Sequence, residues 1–332
     1  MNEFLYKPRY TLTDEIVTLV ADIAAKAEAL TIHSGMGQNL KLRRINRVKS
    51  IQSSLAIENN TLTVEQVTAL IDGKRVLAPP QDVLEAQNAI QAYNKLLDWN
   101  PYDIDDMLTA HGMLMKGLIM EAGKFRSGFV GIARGKDIIH IAPPAVDVSG
   151  LMADLFLWVK EAAVHPLIKS CIFHYEFEFV HPFQDGNGRM GRMWQSLLLS
   201  RWKQIFAWLP VESIVRDRQQ EYYAALTNSN EAMDSTEFIT FMLNAIKDTT
   251  DGYTDQDSDQ VTDQVTDQVK RMLDVLGIST LSAAELMSLL DLKHRPTFRQ
   301  NYLRPALEAG LIEMTLPDVP NSRNQCYRRK GH

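Results

Sequence analysis

Cysteine is nearly missing from these 332 residues: there are two, Cys171 and Cys326, and neither has metal-ligand spacing around it. A disulfide scaffold and a thiolate metal cluster are therefore not expected. Long apolar runs are missing as well. The N-terminus, Met1-Asn-Glu-Phe-Leu-Tyr-Lys-Pro-Arg-Tyr10, lacks a basic start followed by an apolar core, so neither a membrane span nor a secretory leader is expected. An excess of positive charge is absent too: 35 Lys and Arg face 41 Asp and Glu, a net charge of −6 that removes any whole-chain argument for nucleic acid. The expectation is a soluble cytoplasmic protein with one main domain and a smaller second one.

What the chain does have is His181-Pro-Phe-Gln-Asp185-Gly186-Asn187-Gly188-Arg189-Met190-Gly191-Arg192. A solvated turn would explain its Asp, Gly and Asn taken alone. The neighbours fit a polyphosphate site instead. Apolar segments on either side, Ile172 to Val180 and the stretch from Met193 to Trp202, read as helices, so the run is a helix-to-helix loop. Gly186 and Gly188 let a ligand approach the main chain, and the start of the second helix offers unpaired N–H donors to an anion. Arg189 and Arg192, three apart, reach from one helix face, and guanidinium grips phosphate oxygens in pairs. Asp185 is a hard oxygen ligand of the kind Mg²⁺ uses when it sits on substrate phosphates. His181 can take a proton near neutral pH.

This run resembles the signature of Fic proteins, HxFx(D/E)GNGRxxR, at every specified position. The resemblance implies an ATP-dependent transfer of AMP onto a Ser, Thr or Tyr hydroxyl of a target protein, with pyrophosphate released. His181 would be the catalytic base and Asp185 would hold Mg²⁺. Gly186, Asn187, Gly188, Arg189, Met190, Gly191 and Arg192 would form the nucleotide-binding run. Gly123-Lys-Phe-Arg126 and Ile138-Ile139-His140-Ile141 look like the Fic flap, a hairpin whose edge docks the target's strand. Tyr222, Tyr223 and Asn230 resemble the adenine-side segment, although ordinary helix packing would also account for the two tyrosines.

Upstream, Ser54-Leu-Ala-Ile-Glu58-Asn59 is similar to the Fic inhibitory pattern (S/T)xxxE(G/N). Ser54 and Glu58 share a helix face, and Asn59 suits the helix end. The resemblance implies that Glu58 pairs with Arg192 and draws it from the γ-phosphate.

The fold class expected is mainly α: a Fic-type helical bundle with a β-hairpin flap, plus a small C-terminal winged-helix domain. Helices are expected over Thr13 to Ala29, Leu40 to Asn59, Pro80 to Leu97, Ile104 to Met120, Val146 to Ala163, Asp217 to Asn228 and Ser235 to Lys247. The division expected is an N-terminal helical region over 1–100, a catalytic core over 101–247, an acidic linker over 248–260 and a small domain over 261–332. Asp-Gln-Val repeats at 259–261, 263–265 and 267–269, and the four-residue period suits the first helix of that last domain. Its third helix and strands resemble a winged helix. Lys293, Arg295, Arg299, Arg304, Arg323, Arg328, Arg329 and Lys330 gather there, so DNA is one candidate partner, with protein contact the other reading. A DNA-binding regulator with a nucleotide-sensing core and a de-AMPylating enzyme are the competing functions. A homodimer is compatible with the family resemblance.

Overall fold

The structure, a computed structural model, describes the chain except residues 1–5, 34–39, 130, 135–136, 264–266, 278, 291, 293, 309, 318–321, 323–324 and 331–332. For 33, 131–134, 137–141, 254–263, 267, 270, 300 and 308 it describes the backbone alone. It divides into two compact units, 1–253 and 254–332.

The first unit is helical. Helix α1, Asp14–His33, buries Ile16, Leu19, Ile23, Ala27 and Leu30, a spacing of three and four that puts one face against the core. Helix α2, Leu40–Ile57, buries Leu42, Val48, Ile51 and Leu55, and ends before Asn59, which takes the left-handed backbone expected there with φ 67°. Helix α3, Val64–Ile71, was not foreseen; its signal was the reciprocal capping of Thr63 and Gln66. Helices α4, Pro80–Asn94, and α5, Ile104–Leu114, follow. A hairpin of β1, Gly131–Arg134, and β2, Asp137–Ile141, pairs antiparallel with a register shift between Ile132 and Ala133. The backbone of the expected flap is thus a hairpin; the side chains of Ile138, Ile139, His140 and Ile141 lie outside the described residues.

Helix α6 is Ala145–Glu161, α7 Pro166–Val180 and α8 Asn187–Trp202. The α7 and α8 pair sits in the middle of the core, with Phe173, Phe177, Met190, Met193 and Trp194 all fully buried. Burial on several faces explains why the apolar pattern of α7 is mixed rather than striped. A Trp or Phe at such a position removed to Ala costs about 3–5 kcal/mol. The helix expected from Asp217 to Asn228 is α10, Gln219–Ala232, and a short helix α9, Val211–Asp217, precedes it.

Helix α11 runs Thr236–Asp263, so the segment expected as an acidic linker is helical over its whole length. The reason is visible at its start. Thr249 and Thr250 are buried and bond back to Ala245 and Lys247 carbonyls, and Lys247 pairs with Asp251 one turn on. Nor is there a break near residue 100, because α1 to α4 share one core with α5 to α10.

The second unit has α12, Asp267–Leu276, then β3, Leu281–Ser282, α13, Ala283–Leu289, and α14 in three consecutive pieces, Arg295–Phe298, Arg299–Leu303 and Arg304–Glu308. Strands β4, Ile312–Met314, and β5, Cys326–Arg329, complete an antiparallel sheet of order β3-β5-β4. Val269 of the repeat is buried with Met272, Leu286, Phe298 and Tyr327. Lys293 and Arg323 lie outside the described residues. Among the described residues no helix is long and apolar enough to cross a membrane.

Candidate active site

The site is built where α7 stops and α8 starts. His181 caps α7 in the left-handed region, φ 48°, which turns the chain sharply out of the helix. That conformation is unusual for a residue with a Cβ. Arg126 holds it: buried, it donates from Nε to the His181 carbonyl at 2.8 Å and from its other nitrogens to the carbonyls of Gly128, Pro143 and Val180. Burial pulls the Arg126 guanidinium below its usual value. One side chain therefore satisfies four carbonyls and ties the approach to the hairpin to the loop.

His111 on α5 braces the loop from the opposite side. Its Nδ1 accepts from the Gly123 N–H at 2.9 Å, so Nε2 carries the proton and donates to the Asp185 carbonyl at 3.0 Å. The ring stacks on Phe183 with centroids 3.6 Å apart, and burial pulls its pKa down to about 4. Asn187 closes the loop on itself, its amide accepting from the Phe183 N–H and donating to the Phe183 carbonyl, both at 2.9 Å. Its side chain is consumed by this clamp, so the nucleotide contact expected of Asn187 would come from its backbone.

Gly186, φ 85°, is the N-cap of α8 and offers no side-chain cap, which leaves the first-turn N–H groups for an anion. A carboxylate stands beside that turn. The Glu58 Oε1 lies so near the Gly188 Cα that an added Cβ would stand 2.4 Å from it. Arg192 Nη2 donates to Glu58 Oε1 at 2.7 Å and to the Ser54 carbonyl at 3.1 Å, while Nε donates to Ser54 Oγ at 3.2 Å. The structure thus brings Ser54, Glu58, Gly188 and Arg192 together. Burial alone would pull the Arg192 guanidinium down, but Glu58, with Tyr222 and Glu178 behind it, reverses this and raises it.

Arg189 is engaged too. Its Nη2 meets Asp185 Oδ1 at 3.2 Å and its Nη1 lies 3.7 Å from Glu85 Oε1 on α4, while its Nε is buried without a hydrogen-bond partner. Asn60 donates to Glu85 Oε2 at 2.9 Å. The Asp185 side chain is 57% exposed, open to a cation as well as to Arg189. Among the described residues no group of three or more His, Cys, Asp or Glu could hold a metal by itself.

Several expected contacts are overturned. Tyr222 is a core residue, fully buried, with its hydroxyl on His174 Nε2 at 3.1 Å and its ring among Phe238 and Phe241. It cannot stack on a base. Tyr223, one residue on and half-buried, remains available, with Gln219 donating to its hydroxyl at 3.5 Å. Asn230 keeps an amide oxygen buried without a hydrogen-bond partner, and α10 packs on β2. Met190 is fully buried in the core rather than at the nucleotide. Gly191 faces α7, where a Cβ would meet Glu178 and His174 at 2.8 and 3.0 Å. Its smallness serves that contact instead. Sequence reasoning missed Glu85, His111 and Glu178, and it put Arg126 in the flap, where the structure has it hold the His181 turn.

A helical bundle that carries a glycine-rich helix-to-helix loop, two guanidinium groups, an exposed carboxylate, a histidine and a two-stranded hairpin has the architecture of the Fic type. The comparisons agree. The family model described as the Fic/DOC family matches residues 101–199, and that of the Fic-like C-terminal domain matches 267–329. A crystal structure of a Fic family protein from Desulfovibrio desulfuricans is 50% identical, covers 98% of this chain and 99% of that one, and superposes with a TM-score of 0.75. This chain belongs to the Fic family. "Protein adenylyltransferase Fic" of Drosophila melanogaster is 28% identical over 241 residues, 69% of this chain and 46% of that protein. The chain therefore spans about half the length of those relatives. Fic-1 of C. elegans shares the fold at 20% identity, with a TM-score of 0.60 over 73% of this chain and 72% of that one.

Proposed function

We propose that the chain is a protein adenylyltransferase that moves AMP from ATP to a target hydroxyl and is held low by its own Glu58. The observation that supports this is the Glu58 carboxylate in the grip of Arg192 beside Gly188 in the first turn of α8, a place that suits an anion. His181 takes the proton of the hydroxyl, its oxygen bonds to the α-phosphorus, and the bond to the β-phosphate oxygen breaks with pyrophosphate leaving. Arg189 and Arg192 spread the charge that develops, the larger part of catalysis in such transfers. Asp185 would hold Mg²⁺, which when bound neutralises phosphate charge. The hairpin edge would pair with the target's backbone. Tyr223 and the Asn230 amide oxygen suit an adenine face and its amino group.

The test is incubation with α-labelled ATP and Mg²⁺. Label should appear on protein with Glu58→Gly, less with the unaltered chain, and none with His181→Ala. Equal labelling by the first two would sink the inhibitory role, and no label from Glu58→Gly would sink the transferase. Glu58, with its side chain 34% exposed, also suits orienting a water for removal of AMP, so release of AMP from the labelled product should be followed with the same proteins. Contact of the second unit with DNA rests on Arg295, Arg299 and Arg304, all exposed along α14; binding to a duplex that weakens steeply from 50 to 200 mM salt would support it, and no retardation would refute it.

A further inference from the structure

Glu178 lies one turn before His181 on α7, and the residue is 9% exposed. It has no structural partner that would explain it. Among the described residues its Oε1 makes no hydrogen bond. His174, whose Nε2 lies 3.8 Å away, is already committed: Nδ1 donates to Gln195 Oε1 at 2.6 Å, and Nε2 accepts from the Tyr222 hydroxyl at 3.1 Å. Room for the carboxyl exists because α8 has glycine at 191, where a Cβ would stand 2.8 Å from Oε1. The other oxygen, Oε2, lies 4.0 Å from Nδ1 of His181. Rotation about the last bonds of Glu178 closes that gap, and catalytic hydrogen bonds are commonly long before substrate binds.

We propose that Glu178 is the positioning residue for His181: its carboxyl oxygen accepts from Nδ1–H, which turns the ring and leaves Nε2 as the basic nitrogen for the target hydroxyl. The left-handed turn at His181 brings the ring edge back toward α7, so a residue three earlier on that helix can reach it. Other charged or titratable groups facing Glu178 are His174 on its own helix, Arg192 on α8, Glu58 in the turn after α2, and Tyr222 and Tyr223 on α10. Burial pushes the Glu178 carboxyl up to about 8, Arg192 opposes this, and Glu58 adds to the rise. Strong perturbation of this kind beside a base gathers at functional sites. An accepting oxygen is present in either protonation state, so the orientation does not depend on the charge.

The inference rests on His181 being the base, and the test separates the two. In the full-length chain labelled with ¹⁵N-histidine, the His181 ring signals are assigned by their loss in His181→Ala. The neutral ring should carry its proton on Nδ1, and should still do so in Glu178→Gln, which keeps an acceptor. Glu178→Met should shift it toward the Nε2–H form that free imidazole prefers. An Nε2–H ring in the unaltered protein overturns the proposal without any variant, as does an unchanged ring in Glu178→Met. In the Glu58→Gly background, Glu178→Met should lower kcat for labelling by at least about tenfold with the KM for ATP within about twofold, since a positioned base contributes on the order of 10²–10⁴-fold. Glu178→Gln should retain more of the rate. If Glu58→Gly transfers no AMP, the transferase reading fails while the ring's proton still decides the role of Glu178.

Discussion

Adding one methyl group at Gly188 should reverse its effect on stability according to whether Glu58 is present. In the unaltered protein a Cβ at 188 would stand 2.4 Å from Glu58 Oε1 and 2.9 Å from Arg192 Nη1, where ordinary contact begins at 3.4 Å. The carboxylate has to retreat by roughly 1 Å, which carries its 2.7 Å bond to Arg192 beyond hydrogen-bond reach. A hydrogen bond to a charged group is worth about 1.5–3 kcal/mol, and Ala in place of Gly in a helix returns about 0.5–1 kcal/mol. Gly188→Ala should therefore cost about 1 kcal/mol, or about 2–4 °C in Tm for a unit of this size. In Glu58→Gly the carboxylate is gone and Arg192 is free to move its end, so the same methyl should stabilise by about 0.5 kcal/mol. The double-mutant cycle then gives a coupling of about 1.5 kcal/mol, readable from thermal melts of the four proteins. Titration calorimetry should show weaker ATP binding from Gly188→Ala in both backgrounds, because the methyl also occupies the phosphate's place. Equal Tm shifts in both backgrounds would refute the claim that Glu58 sits in the anion cradle.

Glu85→Gln, made in the Glu58→Gly background, removes the second carboxylate near Arg189 and should tighten ATP about threefold by calorimetry; unchanged affinity would mean that Glu85 does not compete for that arginine. Tyr222→Leu should destabilise by about 2–4 kcal/mol with ATP affinity unchanged, while Tyr223→Leu should leave the midpoint of urea unfolding nearly alone and weaken ATP by about tenfold. His174 is held neutral by burial, its pKa pulled from 6.5 down to about 3, with Gln195 opposing and Arg192 assisting. Unfolding lets it take a proton below pH 6.5, so its contribution is present above that pH and falls by about 1.4 kcal/mol per unit toward pH 3. Glu178 has the opposite sign, raised to about 8, with stability lost as pH rises from 4.5 to 8. Urea midpoints from pH 7 to 5 should fall less steeply for His174→Gln than for the unaltered chain; parallel slopes would contradict the neutral assignment.

The parts of the site legible in the sequence are those fixed by short-range geometry. His181, Asp185, Gly186, Arg189 and Arg192 lie within one loop and one helix turn, where backbone angles and i to i+3 spacing decide what can meet. Glu58 reached Arg192 across most of the unit only because both ends carried a pattern. Tyr222 and Tyr223 mark the limit of such reading. Adjacent residues on a helix point about 100° apart. Only the docking of α10 on α7 and α11 decides that Tyr222 bonds His174 in the core while Tyr223 stays half-buried. The acidic stretch after Lys247 is helical against its composition for a related reason. Composition reports what side chains prefer in water, whereas Thr249 and Thr250 turn their hydroxyls to helix carbonyls and so pass into the interior without an unpaired donor.

Glu85, His111 and Glu178, with the part Arg126 plays at His181, were illegible because each acts on a partner from another element, or from across the sharp turn at His181. Yet one local signal existed. In the run Ile172 to Val180 nearly every position is buried, and a carboxylic acid in such a helix has to be paired, protonated or used. Glu176 has a pairing answer: it is raised by burial and held by the hydroxyl of Tyr6, whose own proton burial and that carboxylate keep in place. Glu178 has no comparable partner within the core, and it points at the one histidine whose backbone is forced left-handed. Arg126 donates to the His181 and Val180 carbonyls to hold that turn, a support that would be superfluous if only the chain reversal were at stake, since glycine achieves φ > 0 without help. The strain is explained if position 181 must carry an imidazole and that imidazole must face Glu178 on one side and the loop on the other.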